Sequence, residues 1–145
     1  MSKTPDYVKE IMTTPVVSVA PDAPVRDLVA LLALHNVGAL IVSSDGRVLE
    51  GIVSERDVVR RLHEDPAVLD ARVSAIMTTD VETCGPEALV DDLMKTMTEH
   101  RVRHVPVVVD GTVRGIISIG DVVKHRIDQL EFERDQLDNY LHTGG

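Results

Sequence analysis

Two segments of the 145-residue chain carry residue types that can do chemistry. They are Gly51-Ile52-Val53-Ser54-Glu55-Arg56-Asp57 and Gly115-Ile116-Ile117-Ser118-Ile119-Gly120-Asp121. In each, a Ser stands three residues ahead of an Asp. Ser-x-x-Asp before an apolar run is a helix-start pattern: the hydroxyl caps the helix and the acid sits in its first turn. The same geometry suits a nucleoside phosphate. A helix N-terminus offers unpaired N–H groups and a positive dipole end to phosphate. The hydroxyl adds a donor, and a carboxylate can accept hydrogen bonds from both ribose hydroxyls. Cap and ligand site are both open readings.

Other reactive types give weaker signals. His100 and His104 have the i, i+4 spacing of a helical metal pair, but Arg101-Val102-Arg103 is expected to leave the helix between them. A histidine at a helix C-terminus is favoured by the dipole alone. Cys84, the only cysteine, lies in an apolar run and is expected to be buried and inert. It excludes an internal disulfide. Met94 and Met97 fall on an apolar helix stripe and read as core. No Ser-His-Asp set, paired catalytic carboxylates, Walker loop or Gly-rich dinucleotide fingerprint is present, so binding is expected rather than catalysis. The net charge of -9 argues against nucleic acid, whose phosphates require a basic surface. No apolar run approaches the roughly 18 residues that cross a bilayer. MSKTPDYVKE has no apolar signal core, so a cytoplasmic location is expected.

The elements that must position these residues occur twice. Val8–Val48 overlays Val73–Val113 at a constant offset of 65. Ile11-Met12-Thr13-Thr14 falls on Ile76-Met77-Thr78-Thr79, His35 on His100, and Asp45-Gly46 on Asp110-Gly111. One residue is lost near Leu49-Glu50, after which GIVSERD falls on GIISIGD. Each copy predicts β-α-β-β-α. A short strand (16–19; 81–84) precedes a helix with apolar residues at i, i+3, i+4, i+7: Val25, Leu28, Val29, Leu32 in one copy, Val90, Leu93, Met94, Met97 in the other. Apolar runs at 39–43 and 105–109 read as buried strands, and the Asp-Gly dipeptides as hairpin turns. A unit of about 55 residues is marginal alone, so the two are expected to pack as one module.

The ordered set IMTTPVVSV/IMTTDVETC, HNVGALIV/HRVRHVPVV and GIVSERD/GIISIGD resembles a tandem pair of CBS repeats, the family named for cystathionine β-synthase. The resemblance covers residues 8 to about 126. It implies an α/β (α+β) fold, the Bateman module, in which two repeats pack through their sheets with pseudo-twofold symmetry. The units are expected at 8–64 and 73–126, with a linker at 65–72 and a C-terminal helical tail at 127–145. It also implies regulatory binding of AMP, ADP or ATP, with S-adenosylmethionine or NAD(H) as other adenosyl ligands and no required cofactor.

Carried over residue by residue, the resemblance gives two clefts. Asp57 and Asp121 would hold ribose, and Ser54 and Ser118 would lie near phosphate. Thr14, Pro15 and Val16 in one copy, and Thr79, Asp80 and Val81 in the other, would line the base. Gly38, Ala39 and Leu40, then His104, Val105 and Pro106, would supply strand contacts, with Arg56 and Arg103 as phosphate partners. The copies differ: Asp80 stands at the place of Pro15, Gly120 at that of Arg56, and Arg103-His104 at that of Gly38-Ala39. The Asp121 cleft is favoured, because Ser118 and Arg103 are both expected to serve it. Ile127, Leu130, Leu137 and Leu141 roughly follow a heptad, so the tail either packs on its own module or makes a dimer contact. The implied assembly is a homodimer acting on an unidentified effector. The alternative is a structural module whose clefts no longer bind nucleotide.

Overall fold

A computed structural model describes residues 6–143. The first repeat contains β1 (Ser18–Val19), α1 (Val25–His35), β2 (Ala39–Val42), β3 (Gly51–Ser54) and α2 (Glu55–Glu64). The second contains α3 (Val90–His100), β4 (His104–Val109), β5 (Thr112–Ser118) and α4 (Ile119–Thr143). In the first sheet β1 is parallel to β2 and β2 antiparallel to β3; in the second, β4 and β5 are antiparallel. The strand expected at 81–84 is reduced to a single parallel bridge, Cys84 to Val107. The linker carries a 3-10 turn, Pro66–Asp70, started by the Asp65 side chain, which accepts from Ala67 N–H.

Both predicted helices start and stop where the pattern places them. Val25, Leu28 and Leu32 of α1 are buried, as are Val90, Leu93 and Met97 of α3. Each helix ends on a residue in the left-handed region, Asn36 (φ 52) and Arg101 (φ 56), from which the chain turns directly into the next strand. Asp110 and Gly111 both have positive φ and join paired Val109 and Thr112, as a two-residue primed hairpin requires. The first repeat departs from this. Its extra residue opens the turn into a loop in which the Asp45 carboxylate accepts from Arg47 and Val48 N–H. That loop then pairs across to the other repeat, Val48 opposite Thr112.

The described residues form two apolar cores, one per repeat, and each is completed by the other repeat's opening segment. Val73 and Ile76 belong to the first core, with Met77 against it. Val8 belongs to the second, with Ile11 and Met12 against it. The backbone contacts are matched. Val8 N–H donates to Ala88 O (2.8 Å) and Val73 N–H to Ala23 O (2.8 Å). Lys9 N–H donates to Pro86 O and Ser74 N–H to Pro21 O. Thr13 bridges to Ile116 of β5, and Thr78 to Ile52 of β3. The pseudo-twofold is therefore one of exchange, in which each repeat opens on its neighbour.

β2 is buried on both faces, as expected of a strand covered on both sides. Leu40 and Val42 face the first core, while Ala39 and Ile41 are buried away from it. The tail is not a separate element: α4 runs unbroken from the Ser118 motif to Thr143. Its root is tied down by buried Val122, and by His125 and Gln129, whose Nε2 atoms lie 3.1 and 2.5 Å from Asp6 Oδ2. Among the described residues no helix is long and apolar enough to cross a membrane.

Candidate ligand-binding cleft

Both Ser-x-x-Asp motifs form the reciprocal cap. Ser54 N–H donates to Asp57 Oδ2 at 2.9 Å, and Asp57 N–H donates to Ser54 Oγ at 3.3 Å. The matching distances in the second repeat are 2.9 and 3.1 Å. Ser54 Oγ also donates to Asp57 Oδ2 (3.0 Å), so its proton is already engaged. Each cap ties strand to helix and holds the carboxylate at the mouth of the turn, with Oδ2 committed to the box. The next amide of each helix is engaged too: Glu55 N–H donates to Gly38 O, and Ile119 N–H to Arg103 O.

A cleft of about 360 Å³ opens over the first of these turns. The first repeat contributes Gly38, Ala39, Ile52, Ser54, Glu55, Arg56 and Asp57. The second contributes Thr78, Asp80, Val81, Glu82, Arg101, Val102, Arg103 and His104. The exchange explains this composition: the Ile52–Thr78 bridge lays the second repeat's opening segment beside the first repeat's closing motif. Arg103, grouped by sequence with Ser118 and Asp121, meets that turn through its carbonyl, which accepts from Ile119 N–H. Arg103 and His104 line the cleft of Ser54 and Asp57, as do Asp80 and Val81. Thr14, Pro15 and Val16 follow Thr13, which pairs with β5, and so they belong on the side of Ser118, Gly120 and Asp121. The Thr14–Pro15 peptide is cis.

Three expected strand contacts have buried side chains. Leu40 and Val105 are buried in the first and second cores, and Pro106 is buried with its carbonyl accepting from Cys84 N–H. For Leu40 and Val105 this follows from strand alternation, since a strand that turns Ala39 or His104 to the cleft turns the next residue away; Pro106 shares the face of His104 but is buried further along β4. Thr79 is exposed beside the lining residues without joining them. Sequence reasoning missed Ile52, Glu55, Thr78, Glu82, Arg101 and Val102. Arg101 carried a local signal, because it overlays Asn36 at the helix stop. Thr78 and Glu82 carried none, since only the exchange brings them here.

Acidic and basic side chains both line the cleft. Asp80 and Glu82 lie on the opening-segment side, with Glu82 in contact with His100 Nδ1. Arg101 and Arg103 stand at the turn from α3 into β4, facing Arg56 on α2. The three arginines also line an adjoining cavity of about 370 Å³ with Met97, Thr98, Val102 and Ile119. His104 is packed against Gly38: a Cβ there would lie 3.4 Å from Nε2 and 3.7 Å from Glu55 Oε1. Burial pushes the imidazole below its ordinary 6.5, partly offset by the Asp121 and Glu55 carboxylates, and Arg103 pushes it down further. Outside the cleft, burial pushes the Cys84 thiol up to about 11, which keeps it protonated at neutral pH. His100 and His104 are separated by the end of α3 and a left-handed residue, and so share no helix face.

The CBS domain family model matches this chain twice, at residues 8–64 and 73–128. The chain is 30% identical to the CBS domain-containing protein YhcV of Bacillus subtilis, over 93% of this chain and 95% of that protein. It is 37% identical to the mitochondrial CBS domain-containing protein CBSX3 of Arabidopsis thaliana over 85% of its length, and spans only 62% of that relative. Among solved structures, a CBS-domain containing protein from Agrobacterium tumefaciens superposes with a TM-score of 0.77 at 42% identity, covering 83% of this chain and 92% of the other. The CBS domain pair of protein MJ0100, in complex with 5'-methylthioadenosine and S-adenosyl-L-methionine, superposes with a TM-score of 0.76 at 25% identity, covering 82% and 98%. The doubled repeat, its exchanged opening segments and these matches make the chain a member of the CBS domain family, carrying a tandem CBS pair.

Proposed function

We propose that this CBS pair is a regulatory module that binds a phosphorylated adenosine compound in the cleft between Ser54–Asp57 and Asp80–Arg103. The observation that carries this reading is the convergence of Arg56, Arg101 and Arg103 beside the capped Asp57. Asp57 uses Oδ2 in its cap, which leaves Oδ1 for ribose hydroxyls. Asp80 and Glu82 suit an exocyclic amine, and the guanidinium groups suit phosphate oxygens. This favours AMP, ADP or ATP over S-adenosylmethionine, whose sulfonium gains nothing from three arginines. It also moves the preferred site from the Asp121 cleft to the Asp57 cleft. The absence of a nucleophile–base constellation supports binding rather than turnover, with occupancy passed to a homodimer or an effector protein. That the MJ0100 pair holds adenosyl compounds supports the ligand class.

Thermal unfolding with AMP, ADP, ATP, NADH and S-adenosylmethionine tests the reading. A ligand at 100 times its Kd adds about 2.7 kcal/mol, or roughly 5–10 °C for a chain of this size. Asp57→Ala and Asp121→Ala each remove a cap worth about 1 kcal/mol, so the ligand-induced increment is the quantity to compare. Asp57→Ala abolishes it; Asp121→Ala leaves most of it. A second reading, a structural module without a working site, draws on the completeness of both caps, which already account for Ser-x-x-Asp. No increment with any of the five compounds selects that reading.

A further inference from the structure

Along α4, Val123, Ile127, Leu130, Arg134, Leu137 and Leu141 recur at alternating steps of four and three. This is the a/d seam of a two-stranded coiled coil. The apolar members are 47–62% exposed. The opposite side of the root faces home, through Val122, His125 and Gln129. α4 is continuous, so it cannot fold back to cover its own seam. The helix thus has two working faces, and only one is used within the chain.

We infer that a second copy of this chain covers the seam, as an antiparallel coiled coil of two α4 helices centred near residue 132. The charges select both occupant and direction. In a parallel pair Arg134 would meet its own copy inside the seam. Running antiparallel, Val123 layers on Leu141 of the second copy, Ile127 on Leu137, and Leu130 on Arg134, so every layer contains an aliphatic side chain. Lys124 then flanks Asp138 of the second copy, and Arg126 flanks Tyr140; this charge pair and this cation–aromatic pair each occur twice, against one meeting each of Glu131 and Glu133 with its own copy. Arg134, which pairs with Asp135 at 3.6 Å within the chain, comes beside Glu131 of the second copy. A single charged residue in the seam specifies register at some cost in stability. This inference does not depend on nucleotide binding.

Sedimentation of the full chain between about 1 and 100 µM tests it. The wild-type chain sediments as a dimer. Leu130→Asp/Leu137→Asp raises the dissociation constant by about 100-fold or more, with the thermal midpoint of the CBS pair retained. Phe132→Lys replaces an equally exposed aromatic off the seam and leaves the dimer intact. Arg134→Leu tightens it. For direction, Ile127→Cys and Ile127→Cys/Leu137→Cys are compared under mild oxidation in a Cys84→Ser background; only the double variant cross-links efficiently. A wild-type monomer at the highest concentration, or a dimer that survives Leu130→Asp/Leu137→Asp, overturns the surface. Efficient cross-linking of Ile127→Cys alone overturns the antiparallel arrangement.

Discussion

His104 shows how a difference between the two copies becomes a contact. The sequence places His104 where the first repeat has Ala39, and Arg103 where it has Gly38. In the folded chain those unequal residues meet: the imidazole fills space that Gly38 leaves open. Burial there holds the ring neutral, against the pull of the Asp121 and Glu55 carboxylates. An unfolded chain protonates this ring near 6.5. As pH falls through that value, the unfolded state takes up a proton more readily than the native state, and stability declines. Urea midpoints measured from pH 8 to pH 5 fall more steeply for the wild-type chain than for His104→Gln. Parallel pH profiles for the two proteins would sink this account. The Arg103–His104 inequality was legible in the sequence; its meeting with Gly38 was not, because the two lie in different repeats.

At the scale of elements, most local choices were readable. Helix limits followed from apolar spacing and left-handed stops, and Ser-x-x-Asp marked both strand-to-helix turns. The glycine that opens each closing motif was less transparent. At Gly51 an added Cβ would meet Thr78 O at 2.8 Å and Met77 Sδ at 2.9 Å; at Gly115 it would meet Met12 Sδ at 2.6 Å and Thr13 O at 3.2 Å. These glycines admit the opening strand of the other repeat, and this explains why Met-Thr and Gly recur together. Alanine at either position costs about 1–3 kcal/mol through overpacking. The two differ in remedy. Gly115→Ala clashes chiefly with a flexible thioether and is partly rescued by Met12→Ala. Gly51→Ala also strikes backbone and is not rescued by Met77→Ala. Chemical denaturation of the two pairs checks this; equal rescue would contradict it. The strand expected at 81–84 failed because its residues make only one bridge to the sheet, although their apolar pattern is strand-like.

At the scale of the molecule, exchange of opening segments makes the two repeats one folding unit. Val8 and Val73 are fully buried in the core of the repeat they do not begin. Val8→Ala and Val73→Ala each cost about 2 kcal/mol. Hydrogen exchange distinguishes them: Val8→Ala loosens α3, β4 and β5, while Val73→Ala loosens α1, β2 and β3. Loosening confined to the mutated residue's own repeat would refute the exchange.

The sequence by itself determined the duplication, the two capped turns, the helical stripes and the heptad on α4. All of these are periodic or short-range, and they are written in neighbouring residues. Only the tertiary structure decided which halves meet in a cleft. The opening segments Val8–Thr14 and Val73–Thr79 present the same kinds of side chain to two similar cores. Docking at home or on the neighbour buries the same apolar groups, so no pattern in the sequence separates the alternatives. The path of the chain makes the choice. That choice brings Asp80, Arg101 and Arg103 to the cleft of Asp57, with His104 lining the same cleft from its pairing with Ser118.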